Sequence, residues 1–224
     1  ENVYRSTNQG NSWSKIGDNL TSSTLRFADI APSNSNYIYV GRDAQMWKTT
    51  DGGANWTSPG GPGNNTAMIK VNPANPETIY AVRQNYSSGN KVYKSTNGGT
   101  TWTNISGTLP NVPANCIAVH DDGDETLYVG MDVGVYYRNN TMSDWELYNT
   151  DLPNVQITEV DIIVLTNDLY IATYGRGVWK NYTVSSSSVC PYPSNMDVTD
   201  VTNTSAKVSW SVTNPSPGLG YEWG

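Results

Sequence analysis

KSTNGGTTW, residues 94–102, is a run of small polar residues around two glycines that ends on a tryptophan. Asn97, Gly98 and Gly99 tolerate positive φ and predict a tight turn, so one strand should end near Lys94 and another begin near Trp102. The stretch recurs. RSTNQGNSW ends at Trp13, KTTDGGANW at Trp56 and the decayed YRNNTMSDW at Trp145, so successive tryptophans are 43, 46 and 43 residues apart. In each copy an aromatic residue stands nine positions before the tryptophan (Tyr4, Trp47, Tyr93, Tyr136), and Trp179 follows Tyr136 by 43.

Upstream of each anchor lies a second recurring strand: YIYVG at 37–41, TIYAV at 78–82, TLYVG at 126–130 and DLYIA at 168–172. An apolar stretch precedes each of these across a short polar turn: FADIAP, MIKVNP, CIAVHD and VDIIVL. Each unit therefore holds four short strands, here named A to D, with the quoted turn joining C to D. A period in the low forties with four strands per unit is the pattern of β-propeller blades, none of which buries both faces until its neighbours stack on it. The expected fold class is all-β, with almost no helix.

The pattern Ser/Thr, any, Asp/Asn, any, Gly, any, any, Trp resembles the Asp-box, or BNR repeat, of sialidase-like and sortilin-like propellers and of xyloglucanase-type glucanases. Ser6, Asn8, Gly10 and Trp13 match it, as do Thr49, Asp51, Gly53 and Trp56, and Ser95, Asn97, Gly99 and Trp102. The fourth copy keeps Asn140 and Trp145 but has Arg138 and Met142 where the others have a hydroxyl and Gly, so its turn should differ. The box is expected to be structural. Its Asp or Asn accepts backbone N–H groups of its own turn, and its Trp packs the turn onto the blade. The resemblance implies that these turns lie on the face opposite any active site.

The repeats begin inside a strand C, run through three complete blades and stop after another strand C at about residue 183. The resembled propellers have six or seven blades, and the first residue is not Met, so the chain reads as the C-terminal part of a propeller excised from a longer protein. A Ser-rich linker is expected at 184–189, followed at 190–224 by the N-terminal part of a fibronectin type III domain. In that segment Met196, Val198 and Val201 alternate on one expected strand and Ala206, Val208 and Trp210 on the next, while a whole sandwich takes about 100 residues.

Composition narrows the partners. The net charge of -7, with 13 scattered Lys and Arg, argues against nucleic acid, and no apolar run of about 18 residues exists to span a bilayer. Cys116 sits in the apolar run CIAV and reads as a buried free thiol; Cys190, just after the serines, could be paired with a cysteine beyond this chain.

With strand A lining the central channel, the B-to-C loops emerge on one face and the Asp-box turns on the other. The loops GRDAQ, RQNYSSGNK, GMDVG and TYGRG supply the expected ligand rim: Arg42, Arg83, Tyr86, Tyr174 and Arg176. Asp43 and Asp132 hold equivalent places four residues before the C-strand aromatic. They are the candidates for a glycosidase acid–base pair, although turn aspartates need no such role. No catalytic residue is assigned beyond these two. A sole histidine, His120, excludes a histidine-rich metal site and makes a Ser-His-Asp triad improbable. Asp121, Asp122 and Asp124 in DDGDE are the candidate calcium ligands, but the same A-to-B turn reads SNSN and ANPE in other blades, so no cofactor is expected.

Propeller plus fibronectin-like module is similar to the architecture of large type 9-secreted bacterial surface proteins. The resemblance implies a secreted or cell-surface location and a non-catalytic module for interaction or adhesion. Its partners would be the remainder of the same polypeptide and a polysaccharide or cell-surface protein, by carbohydrate or protein binding. The alternative is a part of a xyloglucanase-like glycoside hydrolase.

Overall fold

Left-handed backbone is what folds each unit back on itself. In the computed structural model Gly10, Gly53 and Gly99 stand at φ of 85°, 102° and 92°, a region that any side chain would strain. The structure describes residues 1–18, 20, 24–148, 151–184, 194–199 and 207–211. Among them every regular element is a strand.

Strands β1 (Val3–Arg5) and β2 (Ser14–Gly17) pair as the C and D strands of a first blade, I. Blade II holds β3 (Phe27–Ile30), β4 (Ile38–Arg42) and β5 (Gln45–Thr49), and its D strand shrinks to a bridge between Lys48 and Thr57. Pro59 and Pro62 follow directly, and a residue without an N–H cannot continue a ladder. Blade III is complete: β6 (Thr66–Val71), β7 (Ile79–Arg83), β8 (Val92–Ser95) and β9 (Thr103–Asn104). So is blade IV, with β10 (Ala114–His120), β11 (Thr126–Met131), β12 (Gly134–Arg138) and β13 (Glu146–Tyr148). Blade V contributes β14 (Ile157–Ile163), β15 (Asp168–Thr173) and β16 (Gly177–Tyr182). All pairings are antiparallel, and within residues 1–184 the described strands begin at C and end after C, in line with the repeat spacing.

The A strands lie side by side. Asp29 of β3 accepts the Val71 N–H of β6 at 2.7 Å, and Asn115 Nδ2 of β10 donates to the Ile157 carbonyl of β14 at 3.1 Å. This makes A the inner strand of each blade. Burial follows from stacking: strands B are apolar without alternation because both faces of each sheet are covered by neighbours. The core is accordingly split among seams. Phe27, Tyr39 and Met46 meet Ile69, Val71 and Ile79 between blades II and III. Tyr80, Val82 and Val92 meet Ile117, Val129 and Trp145 between III and IV, and Cys116, Tyr128 and Val135 meet Ile157, Val160 and Leu169 between IV and V. Approach is close at Gly130, where a Cβ would collide with Cys116 Sγ and stand 2.6 Å from Ile157 Cγ2.

Glu1–Val184 form one unit and Ser185–Gly224 a second. In the second, β17 (Ser194–Thr199) pairs antiparallel with β18 (Lys207–Ser211), with Val198 opposite Val208. The expected linker, apart from Val184, and Cys190, Val201, Ala206 and the last residues lie outside the described set.

Candidate functional site

Four strands joined as A-B-C-D put the A-to-B and C-to-D turns at one end of a blade and the B-to-C loops at the other. The C-to-D end is rigid. In the three full boxes the hydroxyl accepts the glycine N–H (Gly10 to Ser6 at 2.8 Å, Gly53 to Thr49 and Gly99 to Ser95 at 2.9 Å). The Asn or Asp Oδ1 accepts the N–H four residues on, at 2.9 Å in every copy: Ser12 to Asn8, Asn55 to Asp51, Thr101 to Asn97. The Asn55 N–H, the Asn55 amide and the Thr49 hydroxyl together hold the Asp51 carboxyl far below the usual carboxylate range. A carboxylate whose lone pairs are occupied by its own turn is a staple, not an acid.

The box tryptophans tie each blade to the one before it. Trp56 Nε1 donates to the Ile16 carbonyl and Trp145 Nε1 to the Ile105 carbonyl, both at 2.7 Å. Those acceptors each stand three residues after the preceding tryptophan. Blade II has Pro59 there, and the buried Trp102 Nε1 finds no acceptor.

At the opposite end the rim residues divide into scaffold and free surface. Arg42 Nη2 meets Asp43 Oδ2 at 3.2 Å, Arg26 Nη1 lies 3.8 Å from its Oδ1, and Asp43 itself sits at φ 47° in the hairpin turn. Arg83 Nε donates to the Asn64 carbonyl at 2.8 Å, and its guanidinium stacks on Tyr93, so it braces the rim. Asp132 Oδ1 accepts Asn115 Nδ2 at 2.9 Å and Gln156 Nε2 at 3.0 Å, while Gln84 Nε2 donates to Asn115 Oδ1 at 3.0 Å. Gln84, Asn115, Asp132 and Gln156 thus string blades III, IV and V together along the rim. No hydrogen bond joins Asp43 to Asp132, which belong to alternate blades. Tyr86, Tyr174 and Arg176 are left exposed.

Tyr86 nevertheless rides on a fixed loop. Asn85 Oδ1 accepts the Ser87 N–H, Tyr93 Oη donates to Asn90 Oδ1, and Lys91 is wholly buried with its ammonium on the Asn85 carbonyl and the Asn111 amide oxygen. Burial, with the nearby Arg83 charge, lowers the Lys91 pKa. Gly175 and Gly177, at φ 77° and 75°, form the equivalent short turn beneath Tyr174.

The DDGDE turn folds inward. Asp122 Oδ1 accepts the N–H of Asp124 and of Thr126, its Oδ2 accepts the Thr126 hydroxyl, and His120 Nδ1 stands 3.5 Å away. Burial works to raise the Asp122 pKa, but His120 and Thr126 outweigh it and hold the carboxyl down at about 2. No group of three potential metal ligands converges among the described residues. Cys116 is fully buried and free, and burial, helped by Glu159, pushes its thiol up to about 12.

Sequence reasoning missed the seam contacts on the box side. Lys48 lies over the Tyr39 ring and reaches Glu77 Oε1 of blade III at 2.7 Å; Lys94 lies over Tyr80 and reaches Glu125 Oε1 of blade IV at 2.6 Å. The signal was available as a Tyr on B with a Lys opposite it on C, at Tyr39/Lys48, Tyr80/Lys94 and Tyr170/Lys180.

The Sortilin-Vps10 family model (sortilin, neurotensin receptor 3) matches residues 1–144. Among solved structures, a GH74 enzyme of Niastella koreensis superposes with a TM-score of 0.63 at 19% identity, covering 80% of this chain and 32% of that one. The GH74 xyloglucanase of Xanthomonas campestris gives 0.61 at 16% identity, covering 81% and 32%. The β-propeller domain of Myceliophteria thermophila Cps50 (Swd1) gives 0.61 at 10% identity, covering 79% and 57%. The chain thus spans about a third of the two hydrolases, and at these identities the likeness is one of fold. No curated protein matches it. No helix among the described residues is long and apolar enough to cross a membrane.

Proposed function

The chain belongs to the Sortilin-Vps10 family, and from that premise we propose that it is a non-catalytic interaction module, a propeller that offers its B-to-C rim to a polysaccharide outside the cell. One observation carries the reading. Both rim aspartates are engaged in holding the rim, Asp43 by two arginines and Asp132 by two amides, whereas Tyr86 and Tyr174 stand exposed on braced turns. Rigid tyrosine faces flanked by Asn, Ser and Arg suit sugar rings with their apolar faces and hydroxyl edges.

The reading includes export as part of a large bacterial surface protein of the type 9-secreted kind. In it β17 and β18 are the opening strands of a fibronectin type III sandwich, and residues 184–189 are a linker. A second reading, part of a xyloglucanase-like hydrolase, draws on the GH74 fold likeness and on two aspartates at equivalent loop positions.

Binding of the full chain to immobilised polysaccharides, with xyloglucan included and reducing ends assayed in parallel, separates the two. Retention without hydrolysis, weakened about tenfold by Tyr86→Ala or Tyr174→Ala, is expected. Release of reducing ends that disappears in Asp43→Asn or Asp132→Asn would establish the hydrolase. Absence of retention on every polysaccharide would replace the glycan with a protein ligand.

A further inference from the structure

The fourth box is where the repeat departs from its own rule, and the departure opens a cleft. Arg138 stands where the other copies carry the hydroxyl, and the turn closes differently: Asn139 Oδ1 accepts the Thr141 N–H, and Asn140 N–H donates to the Asp124 carbonyl at 2.9 Å. In blade III the donor is the residue one position later in the box, Gly98, and its N–H takes the Glu77 carbonyl, also one position later. That leaves the Pro76 carbonyl free to accept the Tyr39 hydroxyl across the seam at 2.8 Å. At the next seam the residue in Pro76's place, just before the acid, is Asp124, whose carbonyl accepts the Asn140 N–H and no tyrosine hydroxyl. Tyr80, fully buried, is left with a hydroxyl that has no partner.

Tyr80 lines a cleft of about 190 Å³ between blades III and IV together with Lys94, Glu125, Arg138, Asn139 and Asn140. Two cations face one carboxylate there. Glu125 Oε1 accepts Lys94 Nζ at 2.6 Å and its Oε2 accepts Asn140 Nδ2 at 3.3 Å. Arg138 Nη1 makes one long bond, 3.4 Å, to the Ile105 carbonyl. No carboxylate of the described residues comes within ion-pair distance of Arg138. Asp144, which feels its charge, commits Oδ1 to the N–H groups of Thr108 and Trp145. A guanidinium without a counter-ion beside a buried hydroxyl without an acceptor is a donor set that lacks an oxygen-rich anion.

We propose that this seam cleft binds a small oxyanion of the carboxylate, phosphate or sulfate class, gripped by the Arg138 fork and by the Tyr80 hydroxyl, with a free donor of the Lys94 ammonium completing the shell. The site lies on the box side, away from the rim, and stands or falls independently of what the rim binds. The other seams lack the set: Tyr39 donates to the Pro76 carbonyl, Tyr128 Oη accepts the Val184 N–H, and Thr49, Ser95 and Asn181 occupy the place of Arg138.

The test is titration of the full chain with inorganic phosphate, sulfate and acetate in separate arms at constant ionic strength, followed by the amide resonances of Asn139 and Asn140. Saturable shifts with a Kd of about 1 mM or tighter in at least one arm are expected, and the arm that saturates identifies the class. Arg138→Ser restores the residue type of the intact boxes and so should fold; it should weaken binding about tenfold or more, and Tyr80→Phe, which removes only the hydroxyl, about fivefold. Shifts that fail to saturate in every arm, or saturation unchanged in both variants, would overturn the proposal and leave the cleft to water.

Discussion

Trp145 and Trp13 occupy the same letter of the same motif, yet the structure gives them opposite energetic roles. Trp145 is 6% exposed, packed in the cluster between blades III and IV and bonded to the Ile105 carbonyl, whereas Trp13 is 63% exposed. A buried indole removes about 200 Å² from water, worth about 5 kcal/mol at about 25 cal/mol per Å². Trp145→Ala should therefore cost about 3–5 kcal/mol, a large part of the 5–15 kcal/mol that typically separates folded from unfolded. Trp145→Phe keeps most of the packing but leaves the Ile105 carbonyl with only its long bond to Arg138, a cost of about 1 kcal/mol more than the lost area. Trp13→Ala in the same chain should cost about 0.5 kcal/mol or less. Urea unfolding followed by circular dichroism, which does not depend on the tryptophan removed, measures all three. Equal losses for Trp13→Ala and Trp145→Ala would refute the idea that the box tryptophan acts by sealing its blade onto the one before it.

Other consequences are as specific. A double-mutant cycle of Lys48→Met and Glu77→Gln should return a coupling of about 1 kcal/mol that survives added salt, because Lys48 is largely buried over Tyr39. Two acids should oppose each other in the acid limb of the stability curve. Asp122 titrates at about 2 in the fold against an ordinary 3.8, so its contribution is complete above pH 4 and is lost as pH falls through 2. Burial raises the pKa of Asp29, so its contribution is present below 3.8 and is lost as pH rises through the folded value. Asp122→Asn should then flatten the loss of stability between pH 4 and 2, whereas Asp29→Asn should leave that window unchanged and instead remove a gain in stability that appears as pH falls toward 3.8; unfolding series at stepped pH would contradict this if the two effects exchanged windows. Cys116, its thiol held up at about 12, should resist iodoacetamide in the folded chain at pH 8 and react only at the rate of unfolding.

The parts of the fold legible in the sequence are those written within one blade. The box is local: its hydroxyl, its Asp or Asn and its Gly lie within five positions, and their hydrogen bonds close on the same turn. Strand order, the start at C and the stop after C followed from that spacing alone. What stayed illegible lies between blades. Lys94 and Glu125 are 31 positions apart and Lys48 and Glu77 are 29, because the D-to-A connection between lysine and acid differs in length, so no fixed offset marks the pair. Nor could spacing reveal that Arg83 turns back onto Asn64 while Tyr86 on the same loop stands free, or that Asp132 is held by amides from two other elements. The reach of a long side chain is decided by what the neighbouring blade leaves unpaired.

That principle also explains why the box side, the more repetitive of the two, holds the least expected chemistry. In a stacked repeat each donor is satisfied by an acceptor one repeat away, so a change in one turn shows its effect in the neighbour. The fourth turn donates from Asn140, one box position earlier than Gly98 in blade III, to the Asp124 carbonyl, which is the equivalent of the carbonyl that Tyr39 uses at the preceding seam. The altered turn remains satisfied within itself; the deficit appears across the seam at Tyr80, beside the guanidinium that replaced the hydroxyl. A turn that had merely decayed would be expected to lose bonds of its own. Here the loss has been moved onto a buried donor in a cleft with a surplus of positive charge, an arrangement that an anion would repair.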